Sequence, residues 1–382
     1  MPIVYIALIL ALGMVAYILI GYPLILALGP HNTKPAVAKN LDYTSTVSVI
    51  LAVYNGGEFV RAKLESILAL DYPRELVQVI VVSDGSTDAT ESIVREFAQR
   101  GVQLLVVPHL GKASALNAAL ALASGDILFF TDVRQLLDRG ALRHLVANFA
   151  DSTVGVVTGE LRLLKGRRGE QADMELYWRY ELWVRRQHSN IDSIPAVTGC
   201  IYAMRRDLAN PIPADTLGDD AVLPLTAFFK GYRVVFDPAA IATDYPVKAG
   251  SEFRRRCRTL AGLCQVYARM PQLFSSRNRM RLHFLSHKFG RLVLPWAILL
   301  AVAATVALPP TSFRSSMIWG DCILILLALV DGLIPHSIPF KRITSPARTF
   351  LTMNVASIAA LAVFFAPPER FWATTRVEKV DP

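Results

Sequence analysis

Residues 79–88 read VIVVSDGSTD, an apolar run that ends abruptly on acidic residues. A similar run, VSVILAV at residues 47–53, ends at the tetrapeptide YNGG of residues 54–57. Runs of Val and Ile without polar alternation are typical of strands buried on both faces, as in parallel sheets covered by helices. Residues 58–70, between the two runs, carry apolar side chains at helical spacing: Phe59, Leu64, Ile67, Leu68 and Leu70. The pattern predicts a β-α-β unit.

Polar residues stand where each of these predicted strands ends. Asn55 follows the first strand and Asp84 ends the second. Because ligands of open α/β sheets bind beyond the carboxyl ends of the strands, this arrangement predicts a nucleotide site. Asp84 could accept hydrogen bonds from a base or ribose, and Gly85 would let the backbone approach the ligand closely. The competing interpretation is a plain turn, since Asp-Gly-Ser is common turn chemistry.

The chain is too apolar for an ordinary soluble domain, because 53% of its 382 residues are hydrophobic and only 19% are charged. Residues 3–28 contain no charge and are long enough to span roughly 30 Å of hydrocarbon. A cleavable signal peptide is the competing interpretation, but the segment lacks a basic front and its apolar run is too long. Three further candidate spans are residues 292–308, 318–335 and 350–366.

Basic residues predict an orientation for these spans. Nothing basic precedes the first span, whereas Lys34 and Lys39 follow it, so the long middle region is expected in the cytoplasm. The net charge is +9, and its densest cluster is Arg254 to Arg256 with Arg258. This cluster precedes a membrane segment and lacks interleaved aromatics, so we expect a role at a membrane surface or diphosphate and no nucleic-acid partner.

A third apolar strand, DILFFTD at residues 126–132, also ends on acid. Its last residue, Asp132, is placed to bind a metal or a ribose-diphosphate. The alternative is that Asp132 caps a helix starting near Leu136, since Asp is a favoured cap. Upstream, Lys112 follows Gly111 and could neutralise a phosphate, although the Walker A spacing is lacking and a solvated lysine is the alternative.

Two adjacent acids, Asp219 and Asp220, precede the apolar residues 221–224. Adjacent like charges beside apolar sequence shift pKa values upward, and a general base acting on a hydroxyl would benefit from that shift. The alternative is a helix N-terminus, which also favours acids. Thr198 and Gly199 could form part of an acceptor pocket.

Together these motifs resemble the membrane-embedded family 2 glycosyltransferases, such as cellulose, hyaluronan and chitin synthase-like enzymes. The resemblance covers about residues 45–265 and rests on VSVILAVYNGGEFV, VIVVSDGSTDAT, GKASALNAAL, GDILFFTDVRQ, VTGCIYAMRR and DDAVLPLTAFFKGYRVVFDP. It implies an α/β fold, a Rossmann-like GT-A nucleotide-sugar domain, plus one N-terminal and about three C-terminal transmembrane helices. The expected divisions are residues 1–30 (first span), 45–245 (GT-A domain), 246–288 (interfacial amphipathic segment) and 289–368 (C-terminal spans).

The resemblance also implies roles for individual residues. Asp220 would be the catalytic base, with Asp219 beside it. Residues expected around the nucleotide-sugar are Ala52, Tyr54, Asn55, Asp84, Gly85, Lys112, Asp132 and Arg134. Residues expected near the acceptor or diphosphate are Thr198, Gly199, Arg255 and Arg258.

The chain departs from the family pattern at two motifs. The family's DxD reads Asp132-Val133-Arg134, so Mg²⁺ or Mn²⁺ would be left with Asp132 alone, although Mg²⁺ is commonly held by one or two carboxylates plus phosphate. We hypothesise that Arg134 partly replaces the cation, facing the diphosphate as a permanent positive charge. The family's QxxRW reads RxxRT from Arg255 to Thr259, which lacks the aromatic residue and counts against long-chain processive synthesis.

The activity so implied is membrane-bound, inverting transfer of a sugar from a nucleotide-sugar, expected to be a UDP-sugar, to a polysaccharide or lipid-linked acceptor. The expected location is a bacterial-type inner membrane, with the lipid bilayer as a partner. The alternative is a catalytically idle nucleotide-binding membrane subunit of a polysaccharide or glycolipid assembly system. The altered motifs favour this alternative, whereas intact Asp84, Asp132 and Asp220 count against it.

Overall fold

The computed structural model describes residues 2–29, 34–164, 171–245, 252–335 and 338–371. It divides into two compact units. The described residues of 32–164 and 185–247 form an α/β unit, and those of 1–31, 165–184 and 248–376 form a helical unit. The helix Gln171–Ile191 contributes residues to both.

The α/β unit is built on one mixed sheet of eight strands. Its strands are β1 (Val47–Val53), β2 (Val77–Asp84), β3 (Val102–Val107), β4 (Ile127–Thr131), β5 (Leu136–Leu137), β6 (Val154–Leu163), β7 (Tyr202–Arg205) and β8 (Arg233–Asp244). They lie in the order β3-β2-β1-β4-β7-β6-β8-β5. The first four are parallel, β7 is antiparallel to both of its neighbours, β6 and β8 are parallel, and β5 is antiparallel to β8.

The predicted β-α-β unit is confirmed. Strands β1 and β2 pair in parallel and are almost completely buried, as expected for strands covered on both faces. The helix Val60–Leu68 connects them and turns Val60, Leu64 and Ile67 into the core. Burying a side chain of this size contributes about 1.5–3 kcal/mol, so this apolar stripe is what holds the helix on the sheet.

The centre of the sheet is a topological switch point. The chain runs outward from β1 through β2 to β3 and then returns to place β4 on the other side of β1. The pairs Val53 with Ser83 and Leu51 with Thr131 align the carboxyl ends of β1, β2 and β4. We call this aligned border, with the residues that follow each strand, the carboxyl edge. Ligands of open α/β sheets bind at such a place.

The far half of the sheet differs from the sequence prediction. Strands β5 and β7, of two and four residues, were not predicted, and β6 and β8 run for ten and twelve residues. The predicted helix start near Leu136 is wrong, because Leu136–Leu137 pairs with Thr243 and Ala242 of β8 as a short strand. Asp132 is therefore not the cap of a helix at this position.

Five α-helices of at least seven residues lie wholly within the described α/β unit. They are Val60–Leu68, Thr90–Glu96, Lys112–Leu122, Ala141–Ala147 and Asp219–Phe229. Two of them begin at residues singled out from the sequence, because Lys112 and Asp219 are each the first residue of a helix. The fold therefore places both side chains at helix N-termini.

Among the residues that the structure describes, the helical unit contains four helices that are long and apolar enough to cross a membrane, one N-terminal and three C-terminal as predicted. They are Pro2–Leu28, Arg281–Ala307, Ser312–Leu333 and Lys341–Phe364. The second begins at Arg281, inside the segment 246–288 that was predicted to be interfacial. Small side chains allow close packing of the first two, where Leu8 and Ala11 meet Ala301 and Ala304.

Candidate active site

Asp84 lies at the end of β2, and its buried carboxylate organises the loop that follows β3. One carboxylate oxygen accepts the backbone N–H groups of Leu110 (2.9 Å) and Gly111 (3.2 Å). The other lies 3.0 Å from Nδ1 of His109. Asp84 therefore fixes the loop that leads directly into Lys112, a positioning role beside the nucleotide contact expected from the sequence.

The expected reason for Gly85 needs correction. Gly85 has a φ of +66°, and a Cβ at this position would lie 2.7 Å from the backbone nitrogen of His109. The close approach that requires glycine is therefore made by the chain's own 109–111 loop. No ligand is needed to explain it.

Residues after β1 present an exposed aromatic surface on the carboxyl edge. Tyr54 is 44% exposed and stacks on His109, with ring centroids 4.0 Å apart. The next residue, Asn55, adopts a positive φ of 48°, and its side-chain oxygen accepts the N–H of Thr87 at 2.8 Å. Asn55 thus joins the loops that follow β1 and β2. Ala52 lies half-buried within β1, paired with Val82.

Lys112 brings two of the predicted acids together. Its Nζ lies 3.0 Å from Oδ1 of Asp132 and 3.2 Å from Oδ2 of Asp219. Burial alone would lower the pKa of Lys112, but Asp132 and Asp219 outweigh it and the pKa is raised. Burial alone would raise the pKa of Asp132, but the ammonium of Lys112 outweighs it and holds the carboxyl pKa below its ordinary value. Lys112 and Asp132 are therefore both charged at neutral pH.

Arg134 has a different partner from the one expected from the sequence. Its Nε and one Nη each donate to a different carboxylate oxygen of Asp244, both at 2.7 Å. Asp244 ends β8, is buried, and also accepts from Nε2 of Gln135 at 2.8 Å. A bidentate pair of this kind neutralises the guanidinium locally. Arg134 thus secures its loop to β8, and its expected contact with a diphosphate stays a prediction.

Asp220 is the second residue of the helix Asp219–Phe229, where acids are stabilised by the helix dipole. A Cβ at Gly199 would lie 3.1 Å from Oδ2 of Asp220, so the carboxylate lies directly against the Gly199 backbone. Burial, and then the neighbouring charge of Asp219, raise the pKa of Asp220 to about 6, although Lys112 acts in the opposite direction. The acid is thus close to the pKa that suits a general base.

The segment that contains Thr198 and Gly199 lies beside Asp220, and its part in an acceptor pocket stays a prediction. The Val197 N–H donates to the backbone oxygen of Asp220 at 3.1 Å. Thr198 is held on two sides, because its N–H donates to Oγ1 of Thr158 and its hydroxyl accepts from Arg185. The segment therefore forms a fixed wall beside the acid.

Arg255 and Arg258 lie on the helix Glu252–Arg269, in the helical unit. The backbone oxygen of Arg255 accepts the hydroxyl of Thr259 at 3.1 Å, a bond within one helical turn. The RxxRT sequence is thus a helical segment, and its expected contact with a diphosphate stays a prediction.

The donor set for a metal is small. Among the residues that the structure describes, no group of three or more His, Cys, Asp or Glu side chains could hold a metal ion. Asp132 nevertheless remains on the carboxyl edge and is partly exposed. One carboxylate fits a cation that is completed by the phosphates of a bound nucleotide.

Three residues that shape the site were not predicted from the sequence: Lys63, His109 and Asp244. The sequence pattern could have predicted that Lys63 is buried, because Lys63 falls at helical spacing with the apolar residues Val60, Leu64 and Ile67. No sequence pattern indicated the role of Asp244, since its partner Arg134 is distant in sequence.

Comparisons with known proteins agree with this geometry. Residues 48–212 match the sequence model of Glycosyl transferase family 2. The chain is 25% identical over 259 residues to a poly-beta-1,6-N-acetyl-D-glucosamine synthase of Staphylococcus aureus, covering 65% of this chain. It spans about three fifths of the length of that relative, 61%.

A solved structure resembles almost the entire chain. It is the mannosyltransferase PcManGT from Pyrobaculum calidifontis in complex with GDP-Man and Mn²⁺, with a TM-score of 0.74 and 26% identity. The match covers 94% of this chain and 99% of the other. Together with the switch-point sheet and the acids on its carboxyl edge, these similarities identify residues 48–212 as a family 2 glycosyltransferase domain with the GT-A fold.

Proposed function

We propose that the chain is a membrane-embedded inverting glycosyltransferase that uses Asp220 as its general base. One observation carries the proposal: Lys112 bridges Asp132 and Asp219, while Asp220, the next residue, has a raised pKa. A cationic group for a diphosphate and an acid suited to accept a proton thus lie side by side at the switch point. This combination is what transfer from a nucleotide-sugar to a hydroxyl requires.

In the proposed reaction, the acceptor hydroxyl loses its proton to the Asp220 carboxylate while its oxygen attacks the anomeric carbon. The bond from that carbon to the diphosphate breaks on the opposite face, which inverts the configuration. The sugar passes through an oxocarbenium-like state, as in glycoside hydrolysis. Negative charge gathers on the departing nucleoside diphosphate, and the Lys112 ammonium stabilises it.

A divalent cation would be held by Asp132 and would supply further positive charge to the departing diphosphate. Arg134 contributes less to that charge than its position in the motif suggests, because Asp244 holds its guanidinium. Mn²⁺ is present in the Pyrobaculum calidifontis structure together with GDP-Man.

We infer a UDP-sugar donor from the family resemblance, and the GDP-Man complex of the relative makes a GDP-sugar the second candidate. For the acceptor, the staphylococcal relative is named as a polysaccharide synthase, which supports a glycan. A lipid-linked acceptor is the other candidate, because four apolar helices would place the domain at a bilayer. The basic residues that follow the first span support a cytoplasmic catalytic domain at an inner membrane.

A panel of UDP- and GDP-sugars, assayed for nucleotide release by the chain in nanodiscs, tests the activity. We expect release from one nucleotide series, and analysis of the product separates a high-mass polymer from a one-sugar glycolipid. Binding of a nucleotide-sugar without release from any donor, with glycan and lipid acceptors supplied, would instead support the idle subunit.

The Asp220→Asn variant tests the base. It removes the proton acceptor and keeps the shape, so turnover should fall about 10²–10⁴-fold while nucleotide-sugar affinity is preserved. Asp219→Asn is the matched control, because it leaves the base in place and should cost less. Loss of donor binding in Asp220→Asn, with unchanged turnover per bound complex, would contradict the assignment.

A further inference from the structure

Lys63 is fully buried, although lysine almost never is unless it is paired. It lies on the apolar stripe of the helix Val60–Leu68, which packs onto the sheet. Its Nζ donates to Oγ1 of Thr131 at 2.7 Å and to the backbone oxygen of Gln135 at 2.5 Å. A buried polar group is tolerated when it has such partners, and their location indicates its purpose.

The two acceptors of Lys63 lie on either side of Asp132 along the chain. Thr131 precedes Asp132, and Gln135 closes the short loop that follows it. Lys63 therefore fastens both ends of the loop that carries Asp132 to the helix beneath the sheet. With Arg134 tied to Asp244, this loop is held from two directions.

Thr131 extends the connection toward the base. Its hydroxyl donates to the backbone oxygen of Cys200 at 2.8 Å. Cys200 follows Gly199, whose backbone contacts Asp220. A continuous set of buried contacts thus joins Lys63 to the frameworks of both Asp132 and Asp220.

We propose that Lys63 is a positioning residue that sets the Asp132 loop, and through Thr131 the Cys200 backbone, in the arrangement that receives the donor diphosphate. The proposal rests on the proposed function of the site. Lys63 touches neither substrate nor reacting atoms and acts through the residues to which it donates.

To position the Asp132 loop, Lys63 must donate hydrogen bonds, and it need not carry a charge. Burial lowers the pKa of Lys63 to about 7, while Cys200 and Asp132 act in the opposite direction. A neutral amine still has two N–H groups, which equals the number of its acceptors here. Both bonds can therefore persist on either side of neutral pH.

The test uses variants at both ends of the Lys63–Thr131 bond. Lys63→Met fills the same space without donors, and Thr131→Val removes the hydroxyl while Thr131→Ser keeps it. Arg61→Met is the matched control, because Arg61 lies on the same helix but pairs with Glu96 at the surface. Donor KM and kcat are measured by nucleotide release, and donor binding by calorimetry, at a temperature where every variant stays folded.

We expect Lys63→Met and Thr131→Val each to weaken donor binding and raise donor KM on the order of ten-fold, since small misplacements of a binding group are costly. The double variant should be little worse than either single one, and Thr131→Ser and Arg61→Met should behave like the wild type. Unchanged donor KM in Lys63→Met, or effects that add in the double variant, would overturn the proposal.

If Lys63→Met does not fold, the contrast between Thr131→Val and Thr131→Ser decides the question alone. Equal donor affinity in these two variants would overturn the proposal. Calorimetric binding needs no turnover, so a wild-type chain that binds a donor but releases no nucleotide contradicts the proposed function and leaves this test intact.

Discussion

Asp132 contacts Lys112 directly, whereas Asp220 follows Asp219, the second partner of that lysine, and the pKa values of Asp132 and Asp220 shift in opposite directions. Both lose solvation on folding, which by itself would raise both pKa values. At Asp132 the adjacent Lys112 ammonium outweighs this loss and lowers the pKa. At Asp220 burial and then the charge of Asp219 outweigh the influence of Lys112, and the pKa rises to about 6.

This contrast separates two tasks within one small site. A carboxylate with a lowered pKa remains an anion and suits the binding of a cation or a ribose-diphosphate. A carboxylate with a raised pKa can exchange a proton near neutral pH and suits general base catalysis. Pairs of acids whose environments push their pKa values apart are a recurring sign of divided roles in catalysis.

Among changes that retain both acids, Gly199→Ala should have the largest effect on turnover, because it displaces Asp220. In Gly199→Ala the new Cβ would lie 3.1 Å from Oδ2 and 3.2 Å from Cβ of Asp220, so the acid must shift by a few tenths of an ångström. We expect turnover to fall roughly ten-fold, because proton transfer depends on exact placement. The affinity for the nucleotide-sugar donor should change little, because we assign donor binding to Asp132 and its loop.

Gly320→Ala is the matched control, since a Cβ at Gly320 would meet nothing within 4 Å. Kinetics of nucleotide release and calorimetric donor binding give the two readouts. Equal turnover in both variants, with each protein folded, would show that the Gly199 contact does not position the base.

Removal of divalent cations by a chelator tests the role proposed for Asp132. Because Asp244 neutralises Arg134, Lys112 would be the main protein charge left for the diphosphate after metal removal. We expect EDTA to lower turnover several-fold and Mg²⁺ or Mn²⁺ to restore it, since electrostatic stabilisation of a departing group is worth that much. If EDTA does not change turnover, the expectation is contradicted. Arg134 would then be the group that replaces the cation at the diphosphate, as hypothesised from the sequence.

The last comparison concerns stability, because the guanidinium of Arg134 pairs with a buried carboxylate. Arg134→Met leaves Asp244 buried without its guanidinium, and removal of one partner of such a pair costs about 3 kcal/mol. Arg61→Met breaks an exposed pair and should cost no more than about 1 kcal/mol. Unfolding midpoints of the two variants measure the difference, and equal midpoints would show that the Arg134 pair adds nothing to stability.

The sequence reveals most where structure depends on neighbouring residues. Strands β1, β2 and β4 are continuous apolar runs, and the polar residues Asn55, Asp84 and Asp132 stand at their ends, so the carboxyl edge was predictable. The short strand β7 was not, because its place between β4 and β6 comes from pairing with distant strands.

The same reasoning separates the site residues. The N-terminal location of Asp219 and Asp220 follows from local sequence, because acids favour a first helical turn. Arg134 illustrates the limit, since its partner Asp244 lies 110 residues away and only the folded sheet brings them together. A motif position alone therefore suggested a charge facing the diphosphate, whereas the fold gives that charge a structural partner.

The pH dependence of kcat/KM, compared between the wild type and Asp219→Asn, tests the division of roles most directly. Asp220 must be ionised to accept a proton, so wild-type kcat/KM should fall as the pH decreases through about 6. In Asp219→Asn the like charge is gone, and this acid limb should move to lower pH. An acid limb at the same pH in both proteins, or no limb in the wild type, would contradict the assignment of Asp220 as the base.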